Sequence, residues 1–358
     1  MSFRIRHVAI LGMTLALGTL ACGSDITGPD GGNFDAETTA AGLATVDGAF
    51  ETDAFASLEV LGDNFGIPGA SAPAAVELLK AAAHPDTPDF SERISSAASE
   101  LLATSAAPAV VLIPEEYRGL TLTYTGEGGY EVDEALTDAP ANGIRFILYA
   151  VNPITREITE PLTEIGYADI TDESTEAVAS IGLAVVSGGV TYLDYLVTLS
   201  GTIVNPTFTI DGFITDGTDQ ADFTLTHAYA VNIAGITINI DYDIAVNDFS
   251  MDVSLEIVGG GDQSTTTTVD ISFSDGSNTV TIAGSVEDEV GTLEVFTNSV
   301  LFATITIDGS AVTVVDGDGE PLTQEEITTL QELIEIIDEA GEIFEDLVRP
   351  VEFLFGDD

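Results

Sequence analysis

The sequence predicts an α+β fold, mainly β: a large antiparallel meander sheet, open to curling into a half-barrel, covered by N-terminal helices and one long C-terminal amphipathic helix. Three observations carry this expectation. Apolar residues recur every three to five positions in the N-terminal third, every second position from about residue 120 to 315, and again at helical spacing over 323–348. Hydrophobic residues make up 45% of the chain, so a sizeable core is available and the many acids coat a folded body instead of marking disorder.

Residues 34–107 are rich in alanine, with Leu43, Val46, Phe50, Phe55, Leu58 and Leu61 recurring at helical spacing. Gly62 and the turn Gly66-Ile67-Pro68-Gly69 end that segment. Further helices are predicted over 74–83, stopped by Pro85, and over 90–104, stopped before Pro108. The β body is assigned to 108–358. Its clearest strand sets Ile236, Ile238, Ile240, Tyr242, Ile244 and Val246 against Thr237, Asn239, Asp241, Asp243, Ala245 and Asn247, apolar on one face and wet on the other. Met251, Val253, Leu255 and Ile257 repeat the alternation. So do Leu193, Tyr195, Val197 and Leu199, then Phe223, Leu225, Tyr229, Val231 and Ile233, and later Val269, Ile271, Phe273, Val280, Ile282 and Val286. Asp275-Gly276, Asp308-Gly309 and Gly259-Gly260-Gly261 supply turns, giving roughly ten to twelve strands with antiparallel neighbours. In the last helix Thr323 and Glu326 have capping-box spacing, and Pro350 follows the end. Ile327, Leu330, Ile334, Ile337, Phe344, Leu347 and Val348 form its apolar stripe. Such a stripe and a one-sided sheet bury each other economically.

Charge narrows the partners. The chain has 61 acids against 8 basic residues, and Lys80 is its single lysine. A body this acidic lacks the cations that neutralise phosphate, so nucleic acid is excluded as a partner. Like charge at this density is tolerated where salt shortens the Debye length, and the composition is of the kind suited to salty surroundings; dedicated cation binding is the alternative explanation.

The N-terminus carries an address. Arg4, Arg6 and His7 precede an apolar run over residues 8–20, too short to span a bilayer, and Gly18-Thr19-Leu20-Ala21-Cys22-Gly23-Ser24 follows. These residues resemble the lipobox of bacterial lipoproteins, with Ala21 fitting the small residue before the cysteine and Thr19 departing from the usual leucine. The resemblance implies a diacylglyceryl group on the Cys22 thiol, cleavage before Cys22 to remove 1–21, and acylation of the new amino group. Residues 22–33 then form a flexible, acidic, Gly-rich tether. Cys22 is the one cysteine of the chain, so no internal disulfide can form and lipidation accounts for the thiol. The expected location is the cell envelope, at the outer membrane or periplasmic face. Gly23 after Cys22 resembles signals sent to the outer membrane in some bacteria.

Chemistry is sparse. Cleavage would leave His84, before Pro85, and His227, on the apolar phase of its strand between Leu225 and Tyr229. His227 with Tyr229 is the candidate ligand contact; the simpler reading is a half-buried histidine hydrogen-bonded near a sheet edge. With two histidines and no free thiol, a Ser-His-Asp or Cys-His centre has almost nothing to be built from, and G-x-S-x-G, HExxH and P-loop motifs are absent. No catalytic activity and no resident cofactor are expected. Asp316-Gly317-Asp318-Gly319-Glu320 is the candidate calcium site, because Asp316, Asp318 and Glu320 place oxygens at alternate positions. Pro321 and Ile327 stand where an EF-hand loop needs Gly and Glu, so a tight acidic turn before a helix is the simpler reading. The leading expectation is a non-catalytic envelope lipoprotein with a binding or scaffolding role. A carrier of a lipid or other apolar ligand is the alternative, on an architecture that looks like the half-barrels of lipoprotein carriers. A cation-binding surface protein is third.

Overall fold

The computed structural model describes residues 36–64, 113–126, 129–176, 178–202, 205–232, 235–260 and 264–355. The predicted signal peptide and tether, and the helices predicted over 74–83 and 90–104, lie outside them. Among the described residues the protein is mainly β, with one fifteen-stranded sheet and three α-helices.

The chain divides into two compact units. The first contains Thr45–Phe223 and the end of the C-terminal helix; the second contains Thr224–Ile343 and the start of the first helix. The first unit carries β1 (Leu120–Tyr124), β2 (Tyr130–Val132), β3 (Gly143–Tyr149), β4 (Glu164–Asp172), β5 (Ala179–Ser187), β6 (Val190–Thr202) and β7 (Asn205–Thr215). Strand β8 (Gln220–Asn232) straddles the division. The second unit continues with β9 (Gly235–Val246), β10 (Phe249–Gly260), β11 (Thr265–Ser274), β12 (Thr279–Glu287), β13 (Val290–Thr297), β14 (Val300–Asp308) and β15 (Ala311–Asp316).

The strands follow one another in space from β15 down to β3, and then run β1 and β2. The order is linear, so the sheet is not closed into a barrel. There are more strands than the ten to twelve read from the sequence, and the reason is local. The turns Asp288-Glu289 and Asn298-Ser299 have positive φ at both central residues, the geometry of a type I′ hairpin, without a glycine to announce it. The meander also departs from antiparallel pairing once: β1 pairs parallel with β3, Leu120 opposite Ile144. The crossover 125–142, which contains β2, is long enough to return the chain in the same direction.

Alternation is expressed as burial. In β9 Ile238, Ile240, Ile244 and Val246 are buried, in β11 Val269, Ile271 and Phe273, and in β6 Leu193, Tyr195 and Val197. The wet face of β9 and β10 pairs Asp243 with Asp252 and Asp241 with Ser254 across the ladder.

The single helical segment expected around 43–61 is two helices, α1 (Ala36–Phe50) and α2 (Asp53–Asn64). Thr52 divides them: its hydroxyl donates to the Ala49 carbonyl at 2.9 Å and accepts from the Phe55 N–H at 3.4 Å, ending one helix and capping the next. Phe50 and Phe55 meet edge-to-face across the break, ring centroids 4.9 Å apart. Gly62 lies within α2 instead of ending it. On α2, Ser57 Oγ accepts from the Tyr149 N–H at 3.1 Å, which fixes the helix to β3.

Helix α3 (Gln324–Phe355) begins with the predicted capping box. Glu326 Oε2 accepts from the Thr323 N–H at 2.7 Å, while Thr323 Oγ1 accepts from the Glu326 N–H at 3.3 Å. Its buried positions are Leu330, Leu333, Ile336, Ala340, Ile343 and Leu347; Ile327, Ile334 and Ile337, assigned to the stripe by sequence, are half-buried. The helix continues through Pro350 to Phe355. A proline removes one backbone hydrogen bond while keeping a helical φ, and apolar Val351, Phe353 and Leu354 follow it.

Candidate functional site

Polar side chains on the apolar phase of a strand are the informative residues here, because each needs a partner to be there. His227 is 1% exposed, in the series Phe223, Leu225, His227, Tyr229 that β8 turns inward. Its Nε2 lies 2.8 Å from Tyr242 Oη on β9, with the rings 5.4 Å apart. Tyr229 is buried two positions further along β8. Burial pushes the phenols of both Tyr229 and Tyr242 well above the ordinary tyrosine range, Tyr229 further through the neighbouring Tyr242. These hydroxyls remain protonated across the physiological range and act as neutral donors and acceptors, not as bases.

The structure therefore places both predicted residues, His227 and Tyr229, inward in the second unit and adds Tyr242, which the sequence had assigned to the apolar series alone. A second tyrosine of this kind stands in the first unit. Tyr195 on β6 is 2% exposed, its ring edge-on to Phe223 at 6.2 Å, and among the described residues its buried hydroxyl has no hydrogen-bond partner. Burial raises its pKa well above the usual value. The signal that could have found both was present: a tyrosine in phase with Leu, Val and Ile.

The acidic loop after β15 resolves into a closed turn. Asp316 Oδ1 accepts from the Asp318 N–H at 2.9 Å and the Glu320 N–H at 2.8 Å, while the Asp316 N–H donates to the Glu320 carbonyl at 2.9 Å. Val315 and Pro321 bridge across it. Asp316 Oδ1 thus closes its own turn, and Asp316, Asp318 and Glu320 do not form a group arranged to hold a metal ion. Among the described residues no group of three or more His, Cys, Asp or Glu side chains is arranged to hold a metal ion. On the wet face Ser254 Oγ donates to Asp241 Oδ1 at 2.7 Å. Asp243 is raised above the ordinary carboxylate value by burial, then by the hydrogen bond and charge of Asp252 and by the charge of Asp241.

Among the described residues the ion-paired arginines fall in the first unit. Arg145 grips Asp169, its cross-strand partner, with two bonds of 2.7 Å, and its guanidinium lies 3.7 Å from the Tyr167 ring centre. Arg118 meets Asp172 at 2.8 Å, and Arg156 pairs with Glu59 of α2. No Lys or Arg occurs between Arg156 and Arg349.

No protein-family model, no curated protein and no solved structure matches the chain. Cys22 lies outside the described residues. No helix among the described residues is long and apolar enough to cross a membrane.

Proposed function

We infer that the protein is a non-catalytic lipoprotein of the cell envelope, tethered to a membrane by acylated Cys22. Its acid-coated β body binds or scaffolds a partner at the outer membrane or the periplasmic face. The observation that carries this reading is Leu20-Ala21-Cys22 behind a basic start and a short apolar run. Two acyl chains or more give firm anchoring where one gives marginal binding. The side-chain chemistry fits: His227, the one histidine among the described residues, is engaged by a tyrosine whose phenol cannot serve as a base near neutrality. In the same reading the buried stripe of α3 covers the apolar side of the sheet.

Carriage of an apolar ligand is the second reading, and the unpartnered hydroxyl of Tyr195 favours it as a contact for a ligand's polar end. Against it, Leu225, Met251, Val280 and Val295 have no exposed surface at all, whereas residues lining a ligand cavity keep some. Cation binding has the least support, since among the described residues no group of acids is arranged to hold a metal ion.

Mass spectrometry of the natively expressed protein tests the anchor. An N-terminus at Cys22 bearing fatty acid is expected; a different N-terminus without fatty acid overturns the reading. A lipid that co-purifies in stoichiometric amount, and is lost in Tyr195→Phe, would favour the carrier.

A further inference from the structure

We propose that the hairpin tip Asn152–Arg156 is a second membrane contact, in which Ile154 dips into the lipid surface that the Cys22 anchor holds nearby. Ile154 is 90% exposed, the most exposed large hydrophobic among the described residues. It does not sit on a slack loop. Val151 and Ile158 bridge at the base, and the Thr159 N–H donates to the Ala150 carbonyl at 2.9 Å. Asn152 builds the apex: its Oδ1 accepts from the Ile154 N–H at 2.9 Å and the Thr155 N–H at 3.2 Å, and its carbonyl accepts from the Arg156 N–H at 2.9 Å. The Asn152 N–H donates to the Glu157 carbonyl at 2.9 Å, and Pro153 has no N–H. Every N–H from 152 to 156 is thus satisfied inside the tip. That removes the donor share of the cost of bringing backbone close to an apolar medium, while the tip carbonyls can stay at the hydrated headgroup level.

Charge selects the occupant. Arg156 flanks the apex and is the most exposed of the three ion-paired arginines, 62% against 31% for Arg118 and 18% for Arg145. An isoleucine with a guanidinium two residues beyond it matches acyl chain below and headgroup phosphate above. Lipid as the occupant rests on the envelope reading, so the test supplies the anchor chemically.

The mature chain is coupled through Cys22 to a single maleimide-bearing acyl chain, which alone gives only marginal binding. The protein has no tryptophan, so Ile154→Trp installs a unique probe. On phosphatidylcholine vesicles in molar salt its emission is expected to shift to the blue and to be quenched by brominated acyl chains. Thr292→Trp, on the exposed wet face of β13, is expected to do neither. Ile154→Asp should weaken vesicle binding by about tenfold, the partial burial of one such side chain. Unshifted emission from Ile154→Trp on vesicle-bound protein, or equal signals from both probes, overturns the proposal. Failure of natural acylation would leave this result unaffected.

Discussion

The pair His227–Tyr242 is the residue-scale feature with the sharpest consequence. Removing one member of a buried hydrogen bond strands the other, at a cost of about 1–3 kcal/mol, while replacing both with apolar groups of like shape is close to neutral. Tyr242→Phe and His227→Leu are each expected to destabilise by that amount, and the double variant by less than their sum; urea melts in molar salt measure the cycle. Asp243 gives a pH dependence. Its raised pKa means that the folded state holds this proton more tightly than the unfolded chain. Folded stability therefore rises as pH falls through the raised value and is lost as pH climbs above it. Asp243→Asn should stabilise the protein at neutral pH and flatten this part of the profile in melts taken from neutrality down into the carboxylate range. At this scale the sequence was informative about position and silent about partners. His227 was legible as an inward residue because period-two alternation locates it. Tyr242 was hidden as its partner because alternation fixes the face and not the cross-strand register.

Among elements, α3 was the most legible. Thr323 and Glu326 make the reciprocal bonds that their spacing promised, and Thr323→Ala is expected to cost about 1 kcal/mol. Leu333 has no exposed surface, so Leu333→Ala should cost about 2–5 kcal/mol and lower the melting temperature far more than Glu335→Ala on the exposed side. The buried stripe runs Leu330, Leu333, Ile336, Ala340 and not through Ile334 and Ile337. With isoleucines at 334, 336 and 337, the sequence reading placed the stripe on Ile334 and Ile337, whereas packing turns Ile336 inward. Strands were legible wherever alternation was long, as in β9, and were miscounted where turns lacked glycine. Asp288, Glu289, Asn298 and Ser299 adopt positive φ because the right-handed twist of the flanking strands favours that turn. A backbone preference of this kind leaves little trace in composition. The break at Thr52 was missed because one threonine in a helical pattern reads as continuation until its hydroxyl is seen to cap.

For the molecule as a whole, the distribution of charge matters more than its total. The unit holding Thr45–Phe223 ties acids to Arg118, Arg145 and Arg156, whereas Thr224–Ile343 contains no Lys or Arg. Its acids have no lysine or arginine in that segment to pair with, so they depend more on solvent ions, which screen over a Debye length of about 3 Å in molar salt and about 30 Å at a hundredth of that. Hydrogen exchange at low salt should open β9–β14 before β3–β4, and added NaCl should slow exchange in β9–β14 the more strongly. A uniform response in both units would contradict this. The linear strand order has a consequence for biogenesis as well. From β4 to β15 every strand lies beside the one made just before it, so each new hairpin finds its template already in place. A chain emerging in N-to-C order, from the ribosome or from the channel that the proposed export requires, knits row upon row without waiting for its tail, which keeps the growing edge short-lived and out of reach of neighbouring chains.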